Sequence, residues 1–228
     1  MPEKAEIETT INGSPVTVSE GTTILEAARE KGIDIPTLCH HQKLEPIGGC
    51  RLCVVEVAGA RTLVAACHTP VTAGMAIKTH SDRVLATRRA IVELLLSSHP
   101  DSCLVCDKAG QCELRWIAAD LEVGLPRFKT RKRYYPVEDA SPYIIRDLSK
   151  CVLCYRCIRA CREIAGQDIF AMAYRGFNCK VVVDQDRPLN SEACRDCDEC
   201  VLICPTGALS RVKKPGEGRK GKPLVITG

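Results

Sequence analysis

Residues 151–161 read CVLCYRCIRAC, and residues 194–205 read CRDCDECVLICP. Both stretches space their cysteines as C-x2-C-x2-C-x3-C, and the second run ends in Cys204-Pro205. The N-terminal sequence MPEKAEIETT has no basic region followed by an apolar stretch, so we expect a cytoplasmic chain without a signal peptide. In such a chain, dense cysteines indicate metal or redox chemistry rather than a disulfide framework.

The repeated spacing is typical of bacterial ferredoxins with two [4Fe–4S] clusters, in which the fourth cysteine of each run ligates the other cluster. It therefore predicts two ligand sets that exchange one cysteine across an internal repeat. The first set is Cys151, Cys154, Cys157 and Cys204, and the second is Cys161, Cys194, Cys197 and Cys200. A pair of zinc sites is the alternative interpretation.

A different cysteine pattern, C-x10-C-x2-C-x13-C, lies near the N-terminus. Its members are Cys39, Cys50, Cys53 and Cys67. Plant-type [2Fe–2S] ferredoxins use a similar order with a shorter first gap, whereas zinc sites, the alternative, prefer two tight cysteine pairs. The neighbouring histidines are His40, His41 and His68. We do not expect them to be ligands, because four cysteines already fill the four sites of a [2Fe–2S] cluster. His40 and His68 also lie directly beside cysteines, whereas Rieske centres use a C-x-H spacing, which only His41 has.

The middle group is His99-x3-Cys103-x2-Cys106-x5-Cys112. Its cysteines supply one ligand too few for a [4Fe–4S] cluster, and His99 is placed to supply a nitrogen instead. A [3Fe–4S] cluster or an open iron site are alternatives, although a site that binds S-adenosylmethionine would prefer C-x3-C-x2-C. Cys179, the remaining cysteine, is expected to be a buried structural thiol.

The N-terminal region has the pattern of a small α+β sheet domain. Asn12-Gly13 indicates a β-hairpin within residues 5–18. Thr22 or Thr23 can cap a helix that ends near Gly32, and residues 52–57 and 61–66 are predicted to form two further strands. Ser81 can cap a second helix that runs to about Ser97, with an apolar face that includes Val84, Leu85, Ile91, Leu94 and Leu95.

Charge and composition argue against a nucleic-acid binder or a membrane-spanning protein. The formal charge is +4, but four clusters would add roughly −7 and leave the loaded chain near −3. Aromatic residues are only 4% of the chain, too few for base stacking. The longest apolar stretch, residues 90–96, is far shorter than the ~20 residues that a bilayer requires. We therefore expect that the chain does not bind nucleic acid and does not insert directly into a membrane.

The order of these motifs resembles the N-terminal region of the large iron–sulfur subunit of respiratory complex I. It also resembles the accessory domains of iron-only hydrogenases and the small diaphorase subunit of NAD(P)-reducing nickel–iron hydrogenases. Both runs of the double motif are complete here, which favours the hydrogenase-type relatives. No molybdopterin-type or hydrogen-cluster domain is expected after residue 210.

The resemblance implies an electron-transfer subunit of a multi-subunit NAD(P)-linked oxidoreductase. Its expected partners are a flavoprotein subunit with FMN and an NAD(P) site, and the catalytic subunits of a hydrogenase. A formate dehydrogenase or an electron-bifurcating complex could use the same adaptor. The chain offers no phosphate-binding loop in a suitable context and no nucleophile–base pair, so we expect no substrate site in it.

The predicted fold class is α+β, with five segments along the chain. They are a ferredoxin-like β-grasp [2Fe–2S] domain at 1–80, a helical [4Fe–4S] segment with one histidine and three cysteines at 81–125, a basic linker at 126–142, a bacterial-type double [4Fe–4S] ferredoxin domain at 143–210, and a basic Gly/Pro tail at 211–228.

Overall fold

The computed structural model describes residues 5–212. The N-terminal region forms a mixed five-stranded sheet in the order β2-β1-β5-β3-β4. Only the contact between β1 and β5 is parallel, and the other neighbours are antiparallel. The strands are β1 Glu6–Ile11, β2 Ser14–Ser19, β3 Val54–Val57, β4 Val64–Ala65 and β5 Ala76–Lys78.

The predicted hairpin is confirmed. Asn12 and Gly13 join β1 to β2 with φ angles of 53° and 84°, the left-handed conformation that a tight two-residue hairpin turn requires. Strand β5 was not predicted, because three residues with one buried member, Ile77, are too short a stretch to give a periodic signal. It holds the two hairpins together in one sheet.

Helix α1, Ile24–Glu30, packs its buried residues into the core on this sheet. Thr23 is the N-cap: its hydroxyl accepts from the Glu26 backbone N–H, and the Glu26 carboxylate accepts from the Thr23 N–H. This reciprocal capping box satisfies two backbone donors that the first turn would leave free. After α1, residues 33–53 form a long connection that carries the first cysteines.

Helix α2, Asp82–Ser98, begins at Ser81 as predicted and packs on β3 and on α3, Glu113–Asp120. Its inward face differs in part from the predicted apolar face. Leu94 is 51% exposed, whereas Arg88 is 0% exposed. A shared apolar cluster joins α2 and α3 to the connection before β3. The helices of the middle segment therefore pack against the N-terminal domain. Its buried members are Leu38, Leu52, Val92, Cys112, Leu114, Ala118 and Leu121.

The basic linker lies along α2. Arg127 forms an ion pair with Glu93, with 2.7 Å between Nη2 and Oε2. Lys132 Nζ donates to the carbonyl oxygens of Leu96 (3.2 Å) and His99 (2.7 Å) and to Asp101 Oδ1 (2.9 Å). A cation at the carboxyl end of a helix is favourable because the last carbonyl groups have no partner within the helix.

The C-terminal domain has two antiparallel strand pairs, β6 with β9 and β7 with β8. Helix α4 continues into a π-helical turn, Ala160–Ile164. β9 extends to Arg211, and the Val212 N–H donates to the Tyr143 carbonyl, so the strand runs past residue 210. The elements are β6 Ile144–Arg146, α4 Arg156–Arg159, β7 Phe170–Ala173, β8 Lys180–Val183, α5 Glu199–Leu202 and β9 Leu209–Arg211.

Most of the predicted tail, residues 213–228, lies outside the described residues. Within residues 5–212, no helix combines the length and the apolar character needed to cross a membrane.

Candidate metal centres

None of the 16 cysteines forms a disulfide. Most of them are buried or half-buried, and Cys103 is exposed. Thiols that converge without oxidising to disulfides are the donor set of iron–sulfur clusters and of zinc sites. The arrangement of each group therefore decides what it can hold.

The N-terminal group converges beside the sheet. Cys39, Cys53 and Cys67 are buried, and the Cys50 backbone N–H donates to Cys39 Sγ, with 3.4 Å between N and S. Hydrogen bonds from the thiols of Cys50 and Cys67 lower the pKa of Cys39. The hydrogen bond between Cys50 and Cys39 raises the pKa of Cys50, and burial raises it further. The sulfurs are thus close enough that they cannot all ionise unless a cation balances their charge.

Gly48 lies in the loop before this group, with a φ of 60°. This left-handed backbone lets the loop turn towards the sulfurs without the steric cost that other residues would pay. His68 is exposed. His40 lies in a surface cavity beside Cys67, and its Nδ1 is buried without a hydrogen-bond partner from residues 5–212. The prediction that the histidines are not ligands stays a prediction.

The middle group surrounds one cavity, lined by His99, Cys103, Cys106 and Cys112. His99 follows the last turn of α2, and its Nδ1 lies 3.0 Å from the Pro100 carbonyl oxygen. That contact favours the tautomer with the proton on Nδ1 and leaves Nε2 with its lone pair. Nε2 is buried and has no hydrogen-bond partner within residues 5–212, so the group can supply an imidazole nitrogen along with its thiols.

Gly207, from the C-terminal domain, completes the same cavity. A Cβ atom at this position would lie 2.8 Å from Cys106 Sγ and 3.3 Å from Lys150 Cδ. The backbone of one domain thus approaches the sulfur of another so closely that a side chain would not fit. The Glu113 N–H, next to Cys112, donates to the Pro205 carbonyl oxygen at 2.9 Å and fixes the same contact.

The first ferredoxin-type group lines a mostly apolar cavity that contains Cys151, Cys154, Cys157 and Cys204. Burial, followed by the charge of Cys204 among other groups, raises the pKa of Cys154 to about 12. Burial and the neighbouring thiols raise the pKa of Cys157 well above its usual value. Thiolates in this cavity therefore need a positively charged partner.

The second ferredoxin-type group includes Cys161, which lies in the π-helical turn that follows α4. Burial, then the charges of Cys194, Cys197 and Cys161, raise the pKa of Cys200 to about 12. Cys161 is thus a neighbour of the second run, and Cys204 of the first. Cys179 is half-buried. It lies near Cys151, whose pKa is raised to about 11 by burial and by the charges of Cys204 and Cys179.

Two buried arginines on α4 connect the groups, and the sequence pattern gave no sign of them. Arg156 donates to the Glu113 carboxylate, to the His40 carbonyl oxygen at 2.6 Å and to the Ile203 carbonyl oxygen at 3.3 Å. Arg159 donates to the carbonyl oxygens of Cys39 and Glu45. Each carbonyl except that of Glu45 belongs to a candidate ligand or to its neighbour in sequence.

Three family models match the chain. A 2Fe-2S iron-sulfur cluster binding domain matches residues 4–82, the iron-sulfur binding region of NADH-ubiquinone oxidoreductase-G matches residues 88–127, and the ferredoxin-like domain of NADH-quinone oxidoreductase subunit 3 matches residues 141–210.

Curated relatives agree with these matches. The chain is 43% identical over 88% of its length to the NADP-reducing hydrogenase subunit HndD of Solidesulfovibrio fructosivorans, of which it covers 35%. It is 37% identical over 97% of its length to the NADPH-Fe(3+) oxidoreductase subunit alpha of Geobacter sulfurreducens, of which it covers 26%. It is 34% identical over 90% of its length to the mitochondrial NADH-ubiquinone oxidoreductase 78 kDa subunit of Candida albicans, of which it covers 28%. The chain thus spans about a quarter to a third of these relatives.

A solved structure is similar over nearly its whole length. A chain of the NAD+-reducing [NiFe]-hydrogenase in the H2-reduced state superimposes with a TM-score of 0.84 and 27% identity, covering 96% of this chain and 91% of that one. Together with the three matched domains, this likeness places the chain in the family of iron–sulfur electron-transfer modules found in hydrogenases, complex I and NADPH-linked oxidoreductases.

Proposed function

We propose that this chain holds one [2Fe–2S] and three [4Fe–4S] clusters and relays electrons between a flavin/NAD(P) module and a hydrogenase catalytic module. The observation that carries the proposal is the crossing of the two ferredoxin runs. Cys204 lines the cavity of Cys151, Cys154 and Cys157, and the charge of Cys161 acts on Cys200. A crossing of this kind is the ligand pattern of two-cluster ferredoxins.

The proposed ligand sets follow from these groups. The [2Fe–2S] set is Cys39, Cys50, Cys53 and Cys67, and the middle [4Fe–4S] set is His99, Cys103, Cys106 and Cys112. The two remaining [4Fe–4S] sets are Cys151, Cys154, Cys157 and Cys204, and Cys161, Cys194, Cys197 and Cys200. Cys179 belongs to none of them.

The matched family models favour iron–sulfur clusters over zinc, because they describe a 2Fe-2S cluster binding domain, an iron-sulfur binding region and a ferredoxin-like domain. In the middle group, His99 and three cysteines line one cavity. The buried Nε2 of His99 has no hydrogen-bond partner among residues 5–212, so the imidazole can supply the fourth ligand that a [4Fe–4S] cluster requires.

When bound, such clusters accept and donate single electrons without gaining or losing protein ligands. The chain's own residues fix where that happens. The apolar residues around the sulfurs, such as Leu148, Val181 and Leu209, limit the access of water to the cavity. Arg156 and Arg159 hold the N-terminal domain and the middle segment against the C-terminal domain, so that the groups stay neighbours.

The relatives support the proposed partners. A relative with 43% identity is a subunit of an NADP-reducing hydrogenase, and the similar solved chain belongs to an NAD+-reducing [NiFe]-hydrogenase. The match to the 78 kDa subunit of NADH-ubiquinone oxidoreductase supports a second candidate, the same module in a complex I-like enzyme. A formate dehydrogenase or an electron-bifurcating complex would fit the same cluster arrangement.

The cluster count is tested on protein purified without oxygen. We expect about 14 iron atoms and as many acid-labile sulfides per chain, because one two-iron and three four-iron clusters contribute. The protein should be brown, since iron–sulfur charge transfer absorbs visible light and zinc does not. A colourless protein with stoichiometric zinc would refute the proposal, and saturation near ~10 iron would remove one [4Fe–4S] cluster.

The partner proposal needs a separate experiment. The isolated chain should stay oxidised with NADH or NADPH, because we expect its flavin and nucleotide sites in another subunit. Adding the flavoprotein subunit of its own complex should allow one of the two nucleotides to reduce the clusters, which bleaches their visible absorption. Rapid reduction of the chain alone would contradict the division of labour between subunits.

A further inference from the structure

Arg88, on the inner face of α2, is a buried cation without an ion-pair partner in the part of the chain that the structure describes. Its side chain is 0% exposed. One nitrogen, Nη2, donates to the Val54 carbonyl oxygen at 2.9 Å, and Nε has no hydrogen-bond partner among the described residues. None of the ion pairs formed by residues 5–212 includes Arg88.

A buried charge is costly unless an opposite charge lies nearby. Burial lowers the pKa of Arg88 to about 10, so the guanidinium is still charged at neutral pH. The carboxylates of Asp34 and Asp120 line the same open cavity as Arg88, but both residues are exposed and do not reach ion-pair distance. Their charge is therefore screened by water.

A buried source of negative charge does lie close to Arg88. Val54, whose carbonyl accepts from Arg88, follows Cys53 directly in sequence, and Cys53 is 1% exposed. After burial, the charge of Cys53 is the largest influence on the Arg88 guanidinium. Thiolates that ligate a cluster keep a net negative charge, about −2 for a cluster held by cysteines alone.

We propose that the [2Fe–2S] cluster held by the Cys53 set is the missing counter-charge of Arg88, and that Arg88 in turn raises the reduction potential of this cluster. The inference rests on the ligand set proposed above. Arg88 is a positioning residue, since it acts through its charge and through the Val54 carbonyl beside a ligand. Reduction adds one electron to the cluster, so its negative charge grows, and a buried cation favours the more negative state.

The test is a redox titration of the full chain with dithionite, in which the EPR signal of the reduced [2Fe–2S] cluster is monitored. Arg88→Met removes the charge at similar length, and Arg88→Lys keeps it. We expect a lower midpoint potential in Arg88→Met and a nearly unchanged one in Arg88→Lys. Arg89→Met is the matched control, because Arg89 is the exposed neighbour that also donates to a single carbonyl, that of Leu121. The midpoint potential of the [2Fe–2S] cluster should be unchanged in Arg89→Met.

The same midpoint in Arg88→Met and the parent, with the signal intact, would overturn the inference and leave the ligand set standing. Absence of a [2Fe–2S] signal from the parent itself would instead refute the ligand set, and the inference with it. If Arg88→Met loses the cluster and Arg88→Lys retains it, the counter-charge role is supported. Loss of the cluster in both variants would assign Arg88 a role in shape and hydrogen bonding only.

A second measurement separates the charge from the hydrogen bond to Val54. Both the apo and the holo chain lose that bond in Arg88→Met, so its effect cancels in the difference between their unfolding temperatures. We expect cluster binding to raise the unfolding temperature less in Arg88→Met than in the parent and in Arg89→Met. An equal rise in all three proteins would contradict a stabilising attraction between Arg88 and the cluster.

Discussion

Arg156 and Glu113 form a bidentate ion pair between the C-terminal domain and the middle segment. Nη1 lies 2.6 Å from Oε1, and Nη2 lies 2.9 Å from Oε2. The Arg156 side chain is 3% exposed and that of Glu113 is 34% exposed. Because Arg156 also donates to carbonyls of two other loops, removing it leaves several buried acceptors without a donor.

Replacing Arg156 with Gln should therefore destabilise the holo chain by about 2–3 kcal/mol, between the values typical of exposed and of buried ion pairs. The measurement is denaturant unfolding in the absence of oxygen, monitored by circular dichroism. Arg162→Gln is the control, because Arg162 lies six residues further along the chain and forms an exposed ion pair with Asp168. Its substitution should cost less than ~1 kcal/mol. Equal costs for both variants would show that the buried pair does not stabilise the domain contact.

Gly207→Ala should selectively disturb the middle centre. The new methyl group would lie 2.8 Å from Cys106 Sγ, closer than two such atoms can approach, so the cysteine or the loop must shift. We expect the iron content to fall from about 14 to about 10 per chain, with the other signals retained.

Gly110→Ala is the matched control for this substitution. Gly110 lies in the same cysteine-bearing segment, and a Cβ atom there would meet no atom of residues 5–212 within 4 Å. The iron content of Gly110→Ala should match that of the parent. Full iron content in Gly207→Ala would show that the loop gives way without disturbing the cluster.

Local signals in the sequence were sufficient for the elements that short-range chemistry controls. Asn12-Gly13 predicted its hairpin, Thr22 or Thr23 was predicted as the helix cap that Thr23 forms, and Ser81 predicted the start of α2, because each acts within a few residues. Strand β5 was not predictable, because only its neighbours on both sides make it a strand.

The buried arginines and Gly207 were hidden for a related reason. An arginine on a helix is solvent-exposed by default, and only long-range contacts, such as that of Arg156 with the His40 carbonyl, reveal another role. Gly207 belongs to a Pro-Thr-Gly turn that gives no hint of Cys106 nearby. The cysteine spacing predicted which residues could be ligands. It could not predict the charges and backbone contacts around them.

His99→Cys should keep a [4Fe–4S] cluster but lower its reduction potential, because a thiolate adds negative charge where imidazole was neutral. His99→Ala should give a labile or three-iron centre, since the unpartnered Nε2 is lost from the cavity. The measurement is EPR-monitored redox titration of both variants. His68→Ala is the control, because His68 is exposed although it follows Cys67 directly. If both His99 variants keep the parent's signals and potentials, His99 is not a ligand.

Cys157→Ser and Cys161→Ser should damage different [4Fe–4S] clusters, although the two residues are only one helical turn apart. In a regular α-helix, residues at i and i+4 share a face. Here α4 gives way to the π-helical turn that begins at Ala160, so Cys161 lies outside the regular α-helix that contains Cys157. Cys157 lines the cavity with Cys204, whereas the charge of Cys161 acts on Cys200.

Each variant should therefore lose or alter one EPR signal and keep the other. The altered signal should differ between Cys157→Ser and Cys161→Ser, because each serine replaces a ligand of a separate cluster. Cys179→Ser serves as the control: this cysteine is half-buried near Cys151 but is not a proposed ligand, so its replacement should leave both signals in place. Loss of the same signal in Cys157→Ser and Cys161→Ser would refute the exchanged ligation. The two clusters would then be held by separate runs, and the contacts of Cys204 with the first run would need another explanation.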